Sequence, residues 1–185
     1  GVDVSHMMVR ENGSTYFCIV MVDPSGEKAL TIAATDCIFI DPDSLVSAAF
    51  ADVDHVHTTG SRLDTLEAVV GLARQHGATV SVDLEPGHVE ERALVEPLLE
   101  SIDLVFLNRT TATRLTGLAG IGESATSLLR LVGGTVCVTA GAEGCFVASS
   151  EWVGHVRGFE VGVVDTTGSG DAFAAGFVHE FIRDR

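Results

Sequence analysis

Basic side chains are scarce in this sequence: 11 Lys and Arg stand against 26 Asp and Glu, giving a formal charge of −15 over 185 residues. A surface that acidic cannot neutralise a phosphate backbone, so nucleic acid and anionic membrane surfaces are excluded as expected partners. Long hydrophobic runs are also missing. No stretch approaches the roughly 20 apolar residues needed to span a bilayer, and the first residues, GVDVSHMMVRENGS, lack the basic-then-apolar order of a secretory leader. The expected location is the cytoplasm. Cysteine is limited to Cys18, Cys37, Cys137 and Cys145, with no C-x-x-C pair and no zinc spacing, so reduced thiols serving as small core residues are expected. Cys137 and Cys145 flank a short turn on two apolar runs, a placement that lets them face one another. There is no internal repeat, linker or low-complexity tract. What remains is 46% hydrophobic and 20% charged, the composition of one globular domain with its own core.

The hydrophobic pattern changes character along the chain. Thr15 to Val22 (TYFCIVMV) is an aromatic and β-branched run, followed by the turn Asp23-Pro24-Ser25-Gly26 and a second apolar run around Ala29 to Ala33, which predicts a β-hairpin. From Val53 onward, short strand-like runs (VDHVH at 53–57, TVSVD at 79–83, LVFL at 104–107, TVCVT at 135–139) are separated by stretches of helical length. Strands alternating with helices predict an α/β fold with a mostly parallel sheet covered on both faces. Between them, Leu63, Leu66, Val69, Val70 and Ala73 recur at helical spacing, with Ser61 placed to cap that helix and Gly77 to end it. A shorter helix is predicted near Ser124 to Leu131. Pro97 interrupts the stretch from Glu90 to Glu100.

The segment Val163 to Phe177, VVDTTGSGDAFAAGF, is the most informative. Gly168 and Gly170 flank Ser169, and Asp171 then opens a run with Phe173, Gly176, Phe177 and Phe181 on a helical face. A glycine turn at a helix N-terminus presents amides that the helix itself cannot satisfy, and the helix dipole adds partial positive charge there. Two readings stay open on these residues alone. Asp171 caps its helix and the glycines turn the chain, or the amides hold a migrating phosphoryl group while Asp171 removes a proton from the acceptor hydroxyl.

Asp165-Thr166-Thr167-Gly168-Ser169-Gly170-Asp171-Ala172-Phe173, with Gly176-Phe177 after it, resembles the C-terminal signature of the ribokinase-like (PfkB) family of carbohydrate kinases. That resemblance implies Asp171 as catalytic base, the amides of Gly168, Ser169 and Gly170 as an anion hole, and Asp165 and Thr167 as ligands of an activating monovalent cation such as K⁺. Val138-Thr139-Ala140-Gly141-Ala142-Glu143-Gly144 resembles the family's V-T-x-G-x-x-G stretch, which implies ATP along Thr139, Gly141 and Gly144. Asn108 matches the first residue of the family's N-x-x-E motif, linked to phosphate and Mg²⁺. The Glu position is occupied by Thr111, whose hydroxyl cannot supply the carboxylate that a hard cation favours. Arg109 offers either a direct phosphate contact or a solvent-exposed charge. The hairpin, residues 12–35, resembles the family's lid, which closes over substrate and in some members pairs two subunits into a homodimer.

Asp83, Glu85 and Gly87 follow strand TVSVD at the end where open α/β sheets place ligands, so Asp83 is a candidate for binding a sugar hydroxyl. His55 and His57, at i and i+2, share one strand face; without a third ligand they read as edge residues, with substrate contact at His57 as the lesser alternative. The family's first strands, with their G-G motif, and its terminal helix have no counterpart here, so the expected fold is a partial ribokinase-like domain over residues 1–185. The expected function is transfer of the γ-phosphoryl group of ATP to a hydroxyl of a sugar-like molecule, with Mg²⁺. The alternatives are a non-catalytic nucleotide- or sugar-binding relative, and a kinase of a nucleoside or vitamin precursor.

Overall fold

The computed structural model describes residues 1–23, 28–35, 37–60, 62–85 and 92–184. The chain divides into two compact units, Gly1–Ala49 and Phe50–Arg185.

The first unit is built around the expected hairpin. Strands β1 (Phe17–Val22) and β2 (Lys28–Ala33) pair antiparallel from Phe17 opposite Ala33 to Val22 opposite Lys28. The turn predicted at Pro24 to Gly26 lies outside the described residues. At the open end of the hairpin the Thr35 hydroxyl donates to the Ser14 carbonyl at 2.6 Å. Within this unit Phe17, Ile19 and Met21 on one face and Val20 and Val22 on the other are all exposed.

The second unit is a six-stranded sheet in the order β3 to β8: β3 (His55–Thr58), β4 (Thr79–Leu84), β5 (Leu104–Asn108), β6 (Thr135–Thr139), β7 (Cys145–Ala148) and β8 (Val153–Val156). β3 to β6 run parallel, and β7 and β8 complete the sheet antiparallel. The helices are α1 (Leu63–Gln75), α2 (Arg92–Leu99), α3 (Arg109–Thr116), α4 (Ile121–Leu128) and α5 (Ser169–Arg183). Among the described residues no helix is long and apolar enough to cross a membrane.

The expected strands appear with shifted edges. β3 begins at His55 because Val53 and Asp54 approach it as irregular chain, and α4 starts three residues before the predicted Ser124. Ser61 lies outside the described residues, and Arg62 stands at the N-cap of α1 without a side-chain cap bond. Gly77 does follow the helix end, with φ +77°. Pro97 sits inside α2, which ends two residues later.

Strand alternation sorts side chains onto two faces. Val80, Val82, Leu84, Val105, Leu107, Val136 and Val138 point to one face and are at most 1% exposed. Helices α1, α3 and α4 run along the strands here; Gly122 of α4 lies so close to the Phe146 ring that a Cβ would sit 2.8 Å from it. The opposite face carries His55, His57, Ser81, Asp83, Leu104, Phe106, Asn108, Cys137 and Thr139 in register across β3 to β6. Helix α5 packs on it through Phe173, Ala174, Phe177, Val178 and Phe181, against Leu104, Phe106, Cys137, Cys145 and Val147. Cys137 and Cys145 lie in this cluster as free thiols; burial and the neighbouring sulfur raise the Cys137 pKa, so it stays a protonated core group.

Candidate active site

The carboxyl ends of three parallel strands and the N-terminus of α5 converge. Asp83, one residue before the end of β4, stands opposite Phe106, and Asn108 ends β5 opposite Thr139 at the end of β6, so the two pairs occupy successive rows at the carboxyl end of the sheet on the α5 face. A cavity of about 90 Å³ is lined there by Asp83, Glu85, Asn108, Thr139, Gly170 and Phe173, among others. That volume holds reacting groups, whereas whole ligands usually occupy 300 Å³ or more.

Each element delivers its residue for a local reason. The α5 N-cap is Gly168 at φ +76°, a left-handed conformation that a Cβ disfavours. The turn before it is fixed by Asp165, whose Oδ1 accepts from the Thr167 amide at 2.9 Å and hydroxyl at 2.8 Å. The Ser169 amide donates to the Thr166 carbonyl at 3.1 Å, and the first i to i−4 bond of the helix runs from Ala172 to Gly168. The amides of Gly170 and Asp171 therefore precede the helical ladder, and Gly170 borders the cavity. Of the three amides expected to form an anion hole, the one at Ser169 is already engaged inside the turn.

Asn108 is the N-cap of α3, and its Oδ1 accepts from the Thr111 amide at 2.9 Å and from the Thr111 hydroxyl at 3.1 Å. Thr111, which stands in the Glu position without a carboxylate, is fully buried and braces Asn108. With its oxygen committed, Asn108 retains its amide NH₂ as donor toward the cavity. Next to it, Arg109 pairs with Glu143 at 2.6 Å, joining the start of α3 to the turn after β6.

That turn, Gly141–Glu143, is closed by Gly144 at φ +97°, where a Cβ would stand 2.0 Å from the Val156 carbonyl oxygen, so only glycine fits. Around Gly141 no atom lies within 4 Å of a Cβ position, leaving that side of the turn open.

The site is acidic. Burial, reinforced by the charges of Glu85 and Asp171, raises the Asp83 carboxyl to about 6. Burial lowers the His57 pKa while the Asp171 carboxylate opposes that shift, which puts His57 within electrostatic reach of Asp171. Gly87 lies outside the described residues. Among the described residues no group of three His, Cys, Asp or Glu converges as a metal cage. A larger cavity of about 700 Å³, lined by Asp54, His76, Thr79 and Ile182, opens at the other pole, beside the start of β4. It faces the amino ends of the strands, away from Asp171, where open α/β sheets do not carry their chemistry.

Residues 1–185 match the model of the pfkB family carbohydrate kinases. The chain belongs to that family. An ATP-dependent ribose-1-phosphate kinase of Halopiger xanaduensis is 32% identical over 189 residues, covering all of this chain and 60% of the relative. A ribokinase of Haemophilus influenzae is 27% identical, over 100% of this chain and 62% of its own. The pfkB chain thus spans about 60% of the length of these curated relatives. Among solved structures, adenosine kinase from Sinorhizobium meliloti superposes with a TM-score of 0.81 at 24% identity, over 91% of this chain and 55% of its own. A putative ribokinase II from E. coli in complex with ATP and Mg²⁺ superposes at 0.76 with 21% identity, over 90% and 57%. These likenesses establish the ribokinase fold, a mostly parallel sheet between helices.

Sequence reasoning placed Asp171, Asn108, Thr139 and Asp83 separately, and the structure brings them to one end of the sheet. It missed the bracing role of Thr111, although the spacing from Asn108 is that of an N-cap and its N3 residue. It also took the two histidines as edge residues. β3 is indeed the outer strand, but His55 faces Thr79 and Phe181 of α5, and His57 faces Ser81 and Phe106 of β5.

Proposed function

We propose that this chain forms the nucleotide-binding and catalytic portion of an ATP-dependent phosphotransferase that moves the γ-phosphoryl group onto a hydroxyl of a sugar or ribosyl compound. The observation that carries the reading is the convergence of the α5 N-terminus with Asp83, Asn108 and Thr139 around one small cavity at the carboxyl end of the sheet. Relatives named ribokinase, ribose-1-phosphate kinase and adenosine kinase support an acceptor bearing a ribose-like hydroxyl.

In this reading Asp171 takes the proton of the acceptor hydroxyl as it attacks in line. The amides of Gly168 and Gly170, with Ser169 completing the turn, face the transferring group, and the α5 dipole adds to its stabilisation. ATP lies along Thr139, Gly141 and Gly144, with the Asn108 amide NH₂ donating to a phosphate oxygen. Asp83 accepts from a second hydroxyl of the acceptor. The hairpin at 12–35 serves as the lid that excludes water and pairs two copies.

Mg²⁺, when bound, offsets phosphate charge. It fits as an ion carried by the nucleotide, since Thr111 supplies no carboxylate and no three-ligand cage exists among the described residues. For K⁺, the Asp165 carboxylate and Thr167 hydroxyl offer hard oxygen donors, already held together at 2.8 Å. The test is ATP-dependent phosphorylation of a panel of sugars and nucleosides, with and without K⁺, comparing the chain with Asp171→Asn. Turnover that survives the substitution at wild-type rate removes the centre of the reading. Nucleotide binding without turnover in the wild type would favour a non-catalytic binding protein, the reading that Thr111 in the Glu position supports.

A further inference from the structure

The two elements that frame the nucleotide path are tied together by a pair of side chains to which the reaction above gives no part. Asn108 ends β5 and Thr139 ends β6 as neighbours in register. Each segment then leaves the sheet, the first into α3 and the second into the turn Gly141–Glu143. Between the two exits lies the carboxyl edge of a parallel pair, where open α/β sheets take their ligands. Arg109, the first residue of α3, reaches across to the Glu143 carboxylate at 2.6 Å.

Glu143 is held from two sides. Its carboxylate meets Arg109, and its carbonyl oxygen lies 2.7 Å from His155 Nε2 on β8. A carbonyl can only accept, so His155 carries its proton on Nε2. Inside the turn the Glu143 amide donates to the Ala140 carbonyl at 3.2 Å, and the Gly144 amide to the Gly141 carbonyl at 3.0 Å. These bonds set the shape of the turn, and the Arg109 contact ties that shape to α3. Gly141, on the same turn, keeps its open side.

Local helix chemistry does not account for Arg109. A cation in the first turn opposes the helix dipole, and α3 has no acidic residue there to offset it. The guanidinium nitrogen that meets Glu143 is closed off from water and has no aligned hydrogen-bond acceptor, so the contact is one of charge and the carboxylate is what compensates it. Glu143 needs that compensation in turn. Asp83, Glu85 and Asp171 already make this end of the sheet acidic, and a bare carboxylate on the turn would repel a triphosphate laid along it.

We propose, on the kinase reading above, that Arg109 is a positioning residue for the nucleotide that acts through Glu143. It holds the Gly141–Glu143 turn at the distance from Asn108 that the phosphates require, and it cancels the charge that would push them away. Arg109 touches no reacting atom in this role, so its loss falls on nucleotide binding and leaves the chemical step alone.

ATP affinity, measured by calorimetry with Mg²⁺ present, needs no turnover and is the first readout. Arg109→Gln is expected to weaken ATP binding roughly fivefold, the upper end of what a partly exposed ion pair contributes. KM for ATP should rise in step, with kcat and the acceptor KM nearly unchanged. Arg109→Lys should keep most of the affinity, because a contact of charge does not need the planar fork of arginine. Glu143→Gln alone should cost about twofold, since it removes the tie and the repulsion together. Combined with Arg109→Gln it should restore affinity to the level of Glu143→Gln alone. Both side chains stand partly in solvent, so these variants keep the fold. Unchanged ATP affinity in Arg109→Gln overturns the proposal. Losses that simply add in the double variant also overturn it, because Arg109 would then act on the phosphates without Glu143. If the affinity shifts hold while the wild type phosphorylates no alcohol, the positioning role stands and the kinase reading fails. A wild type that binds no nucleotide overturns both.

Discussion

The two faces of the six-stranded sheet obey different rules. One is sealed: valines and leucines of β4, β5 and β6 are at most 1% exposed beneath α1, α3 and α4. The other carries His55, His57, Ser81, Asp83, Asn108 and Thr139 in register, covered by α5 alone among the described helices. A pattern that only had to fold would fill both faces with the residues of the first. The polar face costs burial of Ser81, Thr79 and Asp83, and that cost concentrates where α5 meets the strand ends. The α5 face also holds a buried apolar cluster beneath the helix, but on the proposed function the chemistry lies only at its strand ends, so substitutions there and on the sealed face should separate.

The largest expected effect is on the polar face. Asp171→Asn should cut turnover by about 10²–10⁴ while leaving the urea midpoint nearly unchanged, because Asp171 is exposed in the first turn of α5. A midpoint that falls along with the activity would make Asp171 a structural cap. The sealed face should behave in reverse. Leu66 of α1 is 1% exposed, and Leu66→Ala should cost about 3 kcal/mol in urea unfolding with unchanged nucleotide affinity in the folded fraction. Weakened affinity at equal folded population would show that the faces are coupled.

A smaller effect, belonging to neither face, is expected at the turn after β6. Gly144→Ala forces a Cβ into the Val156 carbonyl oxygen, 2.0 Å away, at a φ that alanine avoids. A loss of about 2 kcal/mol is expected from strain of this kind, together with weaker nucleotide binding if the turn carries the phosphates. Loss of stability with full affinity would move the nucleotide off this turn.

How far the sequence foretold this division depends on the physical range of each feature. The sealed face was readable because continuous runs such as TVSVD and LVFL mark strands buried on both sides, and helix α1 because its apolar residues repeat at helical spacing. Local backbone chemistry at a helix start marked Asp171 and the glycines as either a cap or an anion site, and only the resemblance to the family signature favoured the second. The histidine network could not be read that way. Its partners lie 24 to 26 residues apart and meet only through the parallel register of β3 with β4, which local spacing does not encode. The second role of Thr111 went unread for a related reason: comparison with a motif pointed only to the carboxylate it lacks, whereas its buried hydroxyl also has a partner in Asn108.

The smallest effect is the most specific to the polar face, because it depends on pH. Asp83 is half-buried beside Glu85 and Asp171, and its carboxyl is raised to about 6, against about 3.9 in an unfolded chain. Between those values the native state keeps a proton that the unfolded state has released. The stability it contributes is therefore complete below about pH 4, falls as pH rises through 6, and remains lost above. Asp83→Asn has no such charge to bury. Its stability relative to wild type should be equal at pH 4 and greater by about 1 kcal/mol at pH 8, a figure reduced from the full shift because solvent screens a half-buried group. Urea unfolding at the two pH values measures the difference. Parallel curves would mean that Asp83 is no more strained than a surface carboxylate, and the polar face would then owe its cost to Ser81 and Thr79 alone.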